Sequence, residues 1–125
     1  MPELITKLLP LLHVRDPATE RDFYEVLGLR TTYEGPEYPD FLAVGNDLVE
    51  FGLSRRPGAD PSMAGLTWQL GVSDLDAAIA ACERAGFSFE VTVARPRPDW
   101  TYRVVKVRSP NGFDVHLEEH SDARL

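Results

Sequence analysis

Residues 14–28 (VRDPATERDFYEVLG) and 72–86 (VSDLDAAIAACERAG) have the same order of structural signals. Each stretch starts at the end of an apolar run and continues through an aspartate that can cap a helix, Asp16 in the first and Asp74 in the second. Each ends at a glycine, the residue that most often terminates a helix in the left-handed conformation. The valine, the aspartate and the glycine recur 58 residues later, which indicates internal duplication.

Predicted strands surround both stretches. Apolar or alternating runs bounded by glycine, proline or asparagine predict strands at residues 4–14, 29–33, 41–44 and 48–53, and again at 66–72, 87–91, 101–108 and 113–118. The longer spacing of the second half falls in a predicted loop at 92–99. The chain is therefore predicted to be α+β, with two βαβββ repeats that form curved mixed sheets around a cleft.

The length of 125 residues is enough for one compact domain with its own core. We expect a single domain over residues 1–125, with repeat one at about 4–54, a linker at 55–65 and repeat two at about 66–119. Hydrophobic residues make up 43% and charged residues 26% of the chain, as in ordinary globular proteins.

The net charge of −7 and the pI near 4.9 argue against nucleic acid as a partner, because binding phosphates requires a basic surface. An acidic protein suits a cationic ligand better, although acidity also serves solubility. Cys82 is the single cysteine and lies on an apolar helical stripe, so we expect it in the core. The chain has no apolar run long enough to span a membrane and no secretion signal, so we expect a cytoplasmic protein without membrane contact.

Each predicted strand can be divided into two faces, because side chains alternate along a strand. One face is almost continuously apolar and is expected to pack against the helices: Leu12, Val14, Val49, Phe51, Leu53, Trp68, Leu70, Val72, Phe113, Val115 and Leu117. The other face is expected to line a water-accessible cleft: Leu9, Leu11, His13, Glu50, Gly52, Thr67, Gln69, Gly71, Asp114, His116 and Glu118. Unpaired carboxylates are costly in a dry core, which favours the open cleft. Alternation is also compatible with the solvent face of an ordinary antiparallel sheet.

Short motifs in both halves carry a family resemblance. VRD at 14–16, FY at 23–24 and SPNG at 109–112 resemble the glyoxalase / bleomycin-resistance / extradiol dioxygenase (vicinal-oxygen-chelate) superfamily. The segment WTYR at 100–103 and the strand VHLEE at 115–119 are most similar to the bleomycin-resistance proteins. That resemblance implies a homodimer whose ligand lies in crevices built by strands of both subunits.

The resemblance also implies which positions would hold a metal in the metal-dependent members, namely Leu9, Glu50, Thr67 and His116. Leu9 has no donor atom, and a threonine hydroxyl is a poor ligand for a divalent ion. His13 could be recruited as a third ligand, but it would lie about 13 Å along the strand from the position of Leu9. We therefore predict no metal and no other cofactor.

The predicted ligand-binding residues come from the polar face and from aromatic side chains beside it. They are His13, Tyr38, Thr67, Gln69, Trp100, Tyr102, Asp114 and Glu118. Aromatic rings can stack on a planar ligand or attract a cation. Tyr33 and Phe41 can serve in the same way or pack in the core.

Three functions stay open at this level. The first is sequestration of a small cationic or aromatic compound, such as a bleomycin-like antibiotic, without catalysis. The second is a lyase, isomerase or dioxygenase of the same superfamily, either metal-dependent or metal-free, with Glu50 and His116 as catalytic base and acid. The third is a module that only mediates protein contacts.

Overall fold

The computed structural model describes residues 4–60 and 66–119. The chain divides into two compact units, residues 1–59 and 60–125. The last part of the predicted linker, residues 61–65, lies outside the described residues. Among the residues that are described, no helix is both long and apolar enough to cross a membrane.

The first unit is one helix on a four-stranded mixed sheet. Its elements are β1 (Leu11–Val14), α1 (Pro17–Val26), β2 (Arg30–Glu34), β3 (Phe41–Gly45) and β4 (Glu50–Arg55). The strand order is β1-β4-β3-β2, with β1 parallel to β4 and the other pairs antiparallel. The helix packs on the last three strands of the unit.

The second unit repeats this topology. Its elements are β5 (Thr67–Val72), α2 (Leu75–Ala85), β6 (Phe89–Arg97), β7 (Trp100–Arg108) and β8 (Asp114–Glu119). The order is β5-β8-β7-β6, again with one parallel pair, β5 with β8. Two βαβββ repeats with mixed sheets confirm the predicted α+β fold class.

The helix boundaries follow from capping chemistry. The Asp16 carboxylate accepts a hydrogen bond from the Ala18 N–H at 3.1 Å, and proline stands at the start of α1. Asp74 accepts from the Ala77 N–H at 3.1 Å, and α2 ends at Gly86 with a φ of 82°. A side chain at such a φ would be strained, which explains why glycine stands there.

The apolar strand face forms the cores of the two units, as predicted for most of its members. Seven of them are buried: Leu12, Val14, Phe51, Leu53, Phe113, Val115 and Leu117. Three are half-buried: Trp68, Leu70 and Val72. The prediction for Val49 was wrong, because it precedes β4 in a turn and is 43% exposed. Its carbonyl accepts a hydrogen bond from the Asn46 N–H at 2.9 Å, which closes the turn.

Two strand predictions also require correction. Residues 4–10 are not part of β1, and residues 4–9 are exposed. The predicted loop at 92–99 is instead mostly strand, since β6 continues to Arg97 and only two residues separate it from β7. Pro96 is tolerated because β6 is the edge strand and its register shifts between Ala94 and Arg97.

Candidate functional site

Three aromatic side chains cluster on the face of the first sheet that is turned away from α1. The ring centroids of Tyr33, Tyr38 and Phe41 lie 6.0 to 6.5 Å apart. Tyr38 is 65% exposed, and the neighbouring Leu11 is 51% exposed. We call Tyr33, Tyr38 and Phe41 the aromatic cluster. It leaves flat apolar surface in contact with water, where a planar molecule can stack.

Gly52 lets this cluster lie close to the sheet. Added to Gly52, a Cβ atom would stand 2.5 Å from the Phe41 ring and 2.8 Å from a Leu11 methyl group. The missing side chain therefore makes room for an aromatic ring and an aliphatic group directly over the β4 backbone.

Glu50, a predicted catalytic residue, is already engaged within its own unit. One carboxylate oxygen accepts from Thr32 Oγ1 at 2.7 Å, and the other accepts from Lys7 Nζ at 2.9 Å. The hydrogen bond from Thr32, followed by that from Lys7, lowers the pKa of Glu50. A carboxylate held ionised in this way is a weak proton acceptor near neutral pH.

His13 is the remaining predicted ligand-binding residue of the first unit. It is exposed on β1 and stands in register with Ser54 of β4. Because β1 forms the edge of its sheet, His13 is accessible from the side as well as from the open face.

The open face of the second sheet is lined by polar side chains in register. Gln69 of β5 pairs with His116 of β8, and His116 pairs with Lys106 of β7. Lys106 in turn pairs with Glu90 of β6. Register partners lie on the same face, so we call these four residues the polar row.

A second set of polar residues lies beside the polar row. Thr67 pairs with Asp114, and Asp114 pairs with Arg108. The Arg108 guanidinium contacts the Asp114 carboxylate at 2.8 Å. A shallow depression of about 530 Å³ takes in part of each set, without Gln69 and Thr67, and is lined by Ser88, Phe89, Glu90, Lys106, Val107, Arg108, Asp114 and His116.

Trp100 and Tyr102 form an aromatic pair at the start of β7. Their centroids are 5.4 Å apart, and the Arg97 guanidinium lies 5.3 Å from the centre of the Trp100 ring. Both aromatic residues are half-buried. Arg97 therefore makes the cation-π contact with the Trp100 ring, and that contact does not depend on a cationic ligand.

Glu118 was predicted to line the water-accessible face, but it is buried, since only 6% of its surface is accessible. It follows His116 by two residues on β8, so it lies on the same side of the sheet, in register with Gly71 of β5 and Val104 of β7. Alternation along one strand predicts the side of the sheet but not the depth of burial.

The metal-ligand positions implied by the family resemblance do not fit a divalent ion. Leu9 lacks a donor, Glu50 already contacts the Lys7 ammonium, and His116 stands beside Lys106. Over residues 4–60 and 66–119, no three His, Cys, Asp or Glu side chains are grouped so that they could hold a metal. Glu50 lies in the first unit and His116 in the second, and their pairing as base and acid stays a prediction.

Several residues of these surfaces were missed at the sequence level. Thr32 reaches Glu50 because the β2–β3 register shifts between Thr31 and Tyr33, and a bulge of this kind has no clear sequence signal. Lys7 lies outside any strand. Lys106 and Arg108 could have been found, since they alternate with Val105 and Val107 on a predicted strand.

The chain belongs to the Glyoxalase/Bleomycin resistance protein/Dioxygenase superfamily, whose family model matches residues 8–117. A search of curated proteins found no match. The family was expected from the motifs, and the match confirms it.

Solved structures share the fold at low sequence identity. A bleomycin-binding protein complexed with bleomycin is 20% identical, with a TM-score of 0.67, over 94% of this chain and 100% of the other. An antibiotic binding protein from Streptomyces sp. CB03234, TnmS3, is 21% identical, with a TM-score of 0.64, over 95% and 100%. A lactoylglutathione lyase from Agrobacterium tumefaciens is 18% identical, with a TM-score of 0.66, over 94% and 96%.

Proposed function

We propose that this protein binds a small aromatic compound, such as a bleomycin-like antibiotic. It protects the cell by sequestering that compound chemically unchanged. The observation that carries the proposal is the aromatic cluster, which leaves Tyr38 65% exposed beside Leu11 at 51%. Exposed rings on a rigid sheet bind planar ligands at little entropic cost. Neighbours of the same fold that bind bleomycin or another antibiotic support this choice.

The carboxylates expected to attract a cation are compensated. Glu50 contacts Lys7, Asp114 contacts Arg108, and Glu118 is buried. We therefore propose that stacking, rather than charge neutralisation by these acids, dominates recognition. The proposed contacts of the first unit are Tyr38 for stacking and His13 for hydrogen bonds. Those of the second unit are Trp100 and Tyr102 for stacking, and Thr67, Gln69, Asp114 and His116 for hydrogen bonds.

Binding without catalysis is also favoured by the state of the candidate reactive groups. The lowered pKa of Glu50 makes it a weak base. Burial raises the pKa of the Cys82 thiol, which makes it a poor nucleophile. The first of these observations argues against the Glu50–His116 enzyme, and the second argues against a cysteine nucleophile.

A homodimer is part of the proposal. Leu4, Ile5 and Leu8 are 82 to 86% exposed and precede the edge strand β1. Apolar residues exposed in this way are a common feature of protein interfaces. Light scattering coupled to size-exclusion chromatography measures the mass directly, and a monomer at micromolar concentration would contradict this part.

The function is tested by thermal shift with a panel of aromatic antibiotics that begins with bleomycin, followed by calorimetric titration. A ligand that binds the folded protein should raise the melting temperature, and mass spectrometry should recover it intact. Tyr38→Ala should weaken binding about tenfold through the lost stacking. Leu48→Ala, which removes another exposed side chain of the same unit at 90% exposure, is the control and should bind normally.

Two outcomes would contradict sequestration. One is turnover of the bound compound, which would restore the enzyme hypothesis, especially if Glu50→Gln abolishes it. The other is unchanged drug sensitivity in cells that produce the protein, although the purified protein binds that drug.

A further inference from the structure

The polar row has unused hydrogen-bonding capacity. Gln69, His116, Lys106 and Glu90 stand in register across all four strands of the second sheet. Within the described part of the chain, none of the four side chains has a hydrogen bond or ion pair. The amide, the imidazole and the ammonium group are therefore all available to a bound molecule.

The charged residues of the depression differ in whether they form ion pairs. Arg108 and Asp114 also line the depression, but they contact each other at 2.8 Å and neutralise one another. Lys106 and Glu90 are cross-strand partners that form no ion pair between themselves. Lys106 is thus the cation of the depression that forms no direct ion pair with another described side chain.

Two donors for an anionic group stand next to each other in the row. Lys106 and His116 are on adjacent strands and line the same depression, and adjacent strands lie about 4.8 Å apart. Gln69 is on the far side of His116. The side chains of Lys106 and His116 can therefore both reach one carboxylate group, and such charge-assisted hydrogen bonds are stronger than neutral ones.

Glu90 limits which anion fits. It lines the depression next to Lys106, so a second negative charge on the ligand would be repelled. A singly charged carboxylate therefore suits the depression better than a doubly charged phosphate.

We propose that the depression on the second sheet binds a small aromatic carboxylate, with Lys106 supplying the charge and His116 supplying a hydrogen bond. This inference goes beyond the proposed function, because it concerns a surface of the second unit and a ligand that carries a carboxylate.

The test compares two aromatic probes of equal size and opposite charge, 2-naphthoate and 2-naphthylmethylamine, titrated into the full chain. The wild-type protein should bind the carboxylate several-fold more tightly. Lys106→Gln should weaken naphthoate binding about fivefold and leave the amine unaffected or bound more tightly, whereas Lys106→Arg should retain binding of the acid. Glu90→Gln should strengthen naphthoate binding about twofold, because it removes a repelling charge.

Arg84→Gln is the matched control, since it removes one positive charge from the exposed last turn of α2 in the same unit, outside the depression. It should leave naphthoate binding unchanged. Equal binding of both probes, equal loss in Lys106→Gln and Arg84→Gln, or no naphthoate binding would each overturn the carboxylate site. If an uncharged aromatic antibiotic still binds intact, only this inference fails. If no aromatic compound binds, the proposed function fails with it.

Discussion

The hydroxyl of Tyr24 offers a test of the first unit's core. Tyr24 and Glu20 on α1 are fully buried, and the tyrosine donates a hydrogen bond to the Glu20 carboxyl at 3.0 Å. The Tyr24 ring also packs edge-on against Phe23 and Phe51 at 5.1 and 4.9 Å. Burial, followed by the nearby Glu20 charge, raises the pKa of Tyr24, so its hydroxyl keeps its proton and stays a donor.

Tyr24→Phe keeps the ring contacts and removes only the hydroxyl. Because Glu20 has a further interaction, the loss is that of one buried hydrogen bond to a carboxyl group, about 2 kcal/mol of unfolding free energy. Urea denaturation followed by fluorescence should show a lower midpoint with an unchanged slope.

Tyr33→Phe is the control for the same chemical change. Its hydroxyl donates to Glu37 at 3.3 Å on the exposed side of the sheet, and its removal should leave the midpoint unchanged. Equal shifts in the two variants, or no shift in Tyr24→Phe, would refute the assignment of a buried hydrogen bond.

Three further predictions concern other parts of the chain. Thr32→Val should raise the pKa of Glu50 towards its ordinary value, because the largest cause of its lowering is the hydrogen bond from Thr32; carboxyl NMR across an acid titration checks this. Since the folded-state pKa of Glu50 is lowered, Glu50 stabilises the fold above its unfolded pKa, and this stabilisation is lost as the pH falls through its folded pKa. Thr32→Val should therefore lose less stability on acidification than the wild-type protein. Gly86→Ala should lower the unfolding free energy by about 1 kcal/mol, because a φ of 82° strains a side chain, measurable by urea denaturation. The buried Cys82 thiol, with its raised pKa, should react with a thiol reagent only after denaturant is added, and rapid labelling of the native protein would contradict its burial.

Local signals predicted the elements that local chemistry determines. Asp16 and Asp74 cap their helices as their positions indicated, and Gly86 ends α2 in the left-handed conformation. The 58-residue repeat of these signals therefore led to the correct fold class. The same reasoning failed for β6, because the longer spacing of the second half was assigned to a loop at 92–99, where the structure extends the strand to Arg97. Only the position of a strand in the sheet decides whether a proline such as Pro96 is tolerated.

The candidate surfaces were less predictable, because they depend on contacts between strands. The bulge that brings Thr32 to Glu50 is a property of register. Arg108 neutralises Asp114, a pairing that depends on the alignment of β7 with β8. The close approach of Phe41 to the sheet likewise follows from Gly52, whose missing side chain mattered only once Phe41 lay over it.

The central claim is that an aromatic compound stacks on the aromatic cluster and is released chemically unchanged. The most direct measurement is an NMR titration of isotope-labelled protein with the compound that gives the largest thermal shift, with mass analysis of that compound afterwards. The account predicts the largest chemical-shift changes at Tyr33, Tyr38 and Phe41, and recovery of the compound at its original mass. Changes confined to α1 and α2, or recovery of a chemically altered compound, would contradict it.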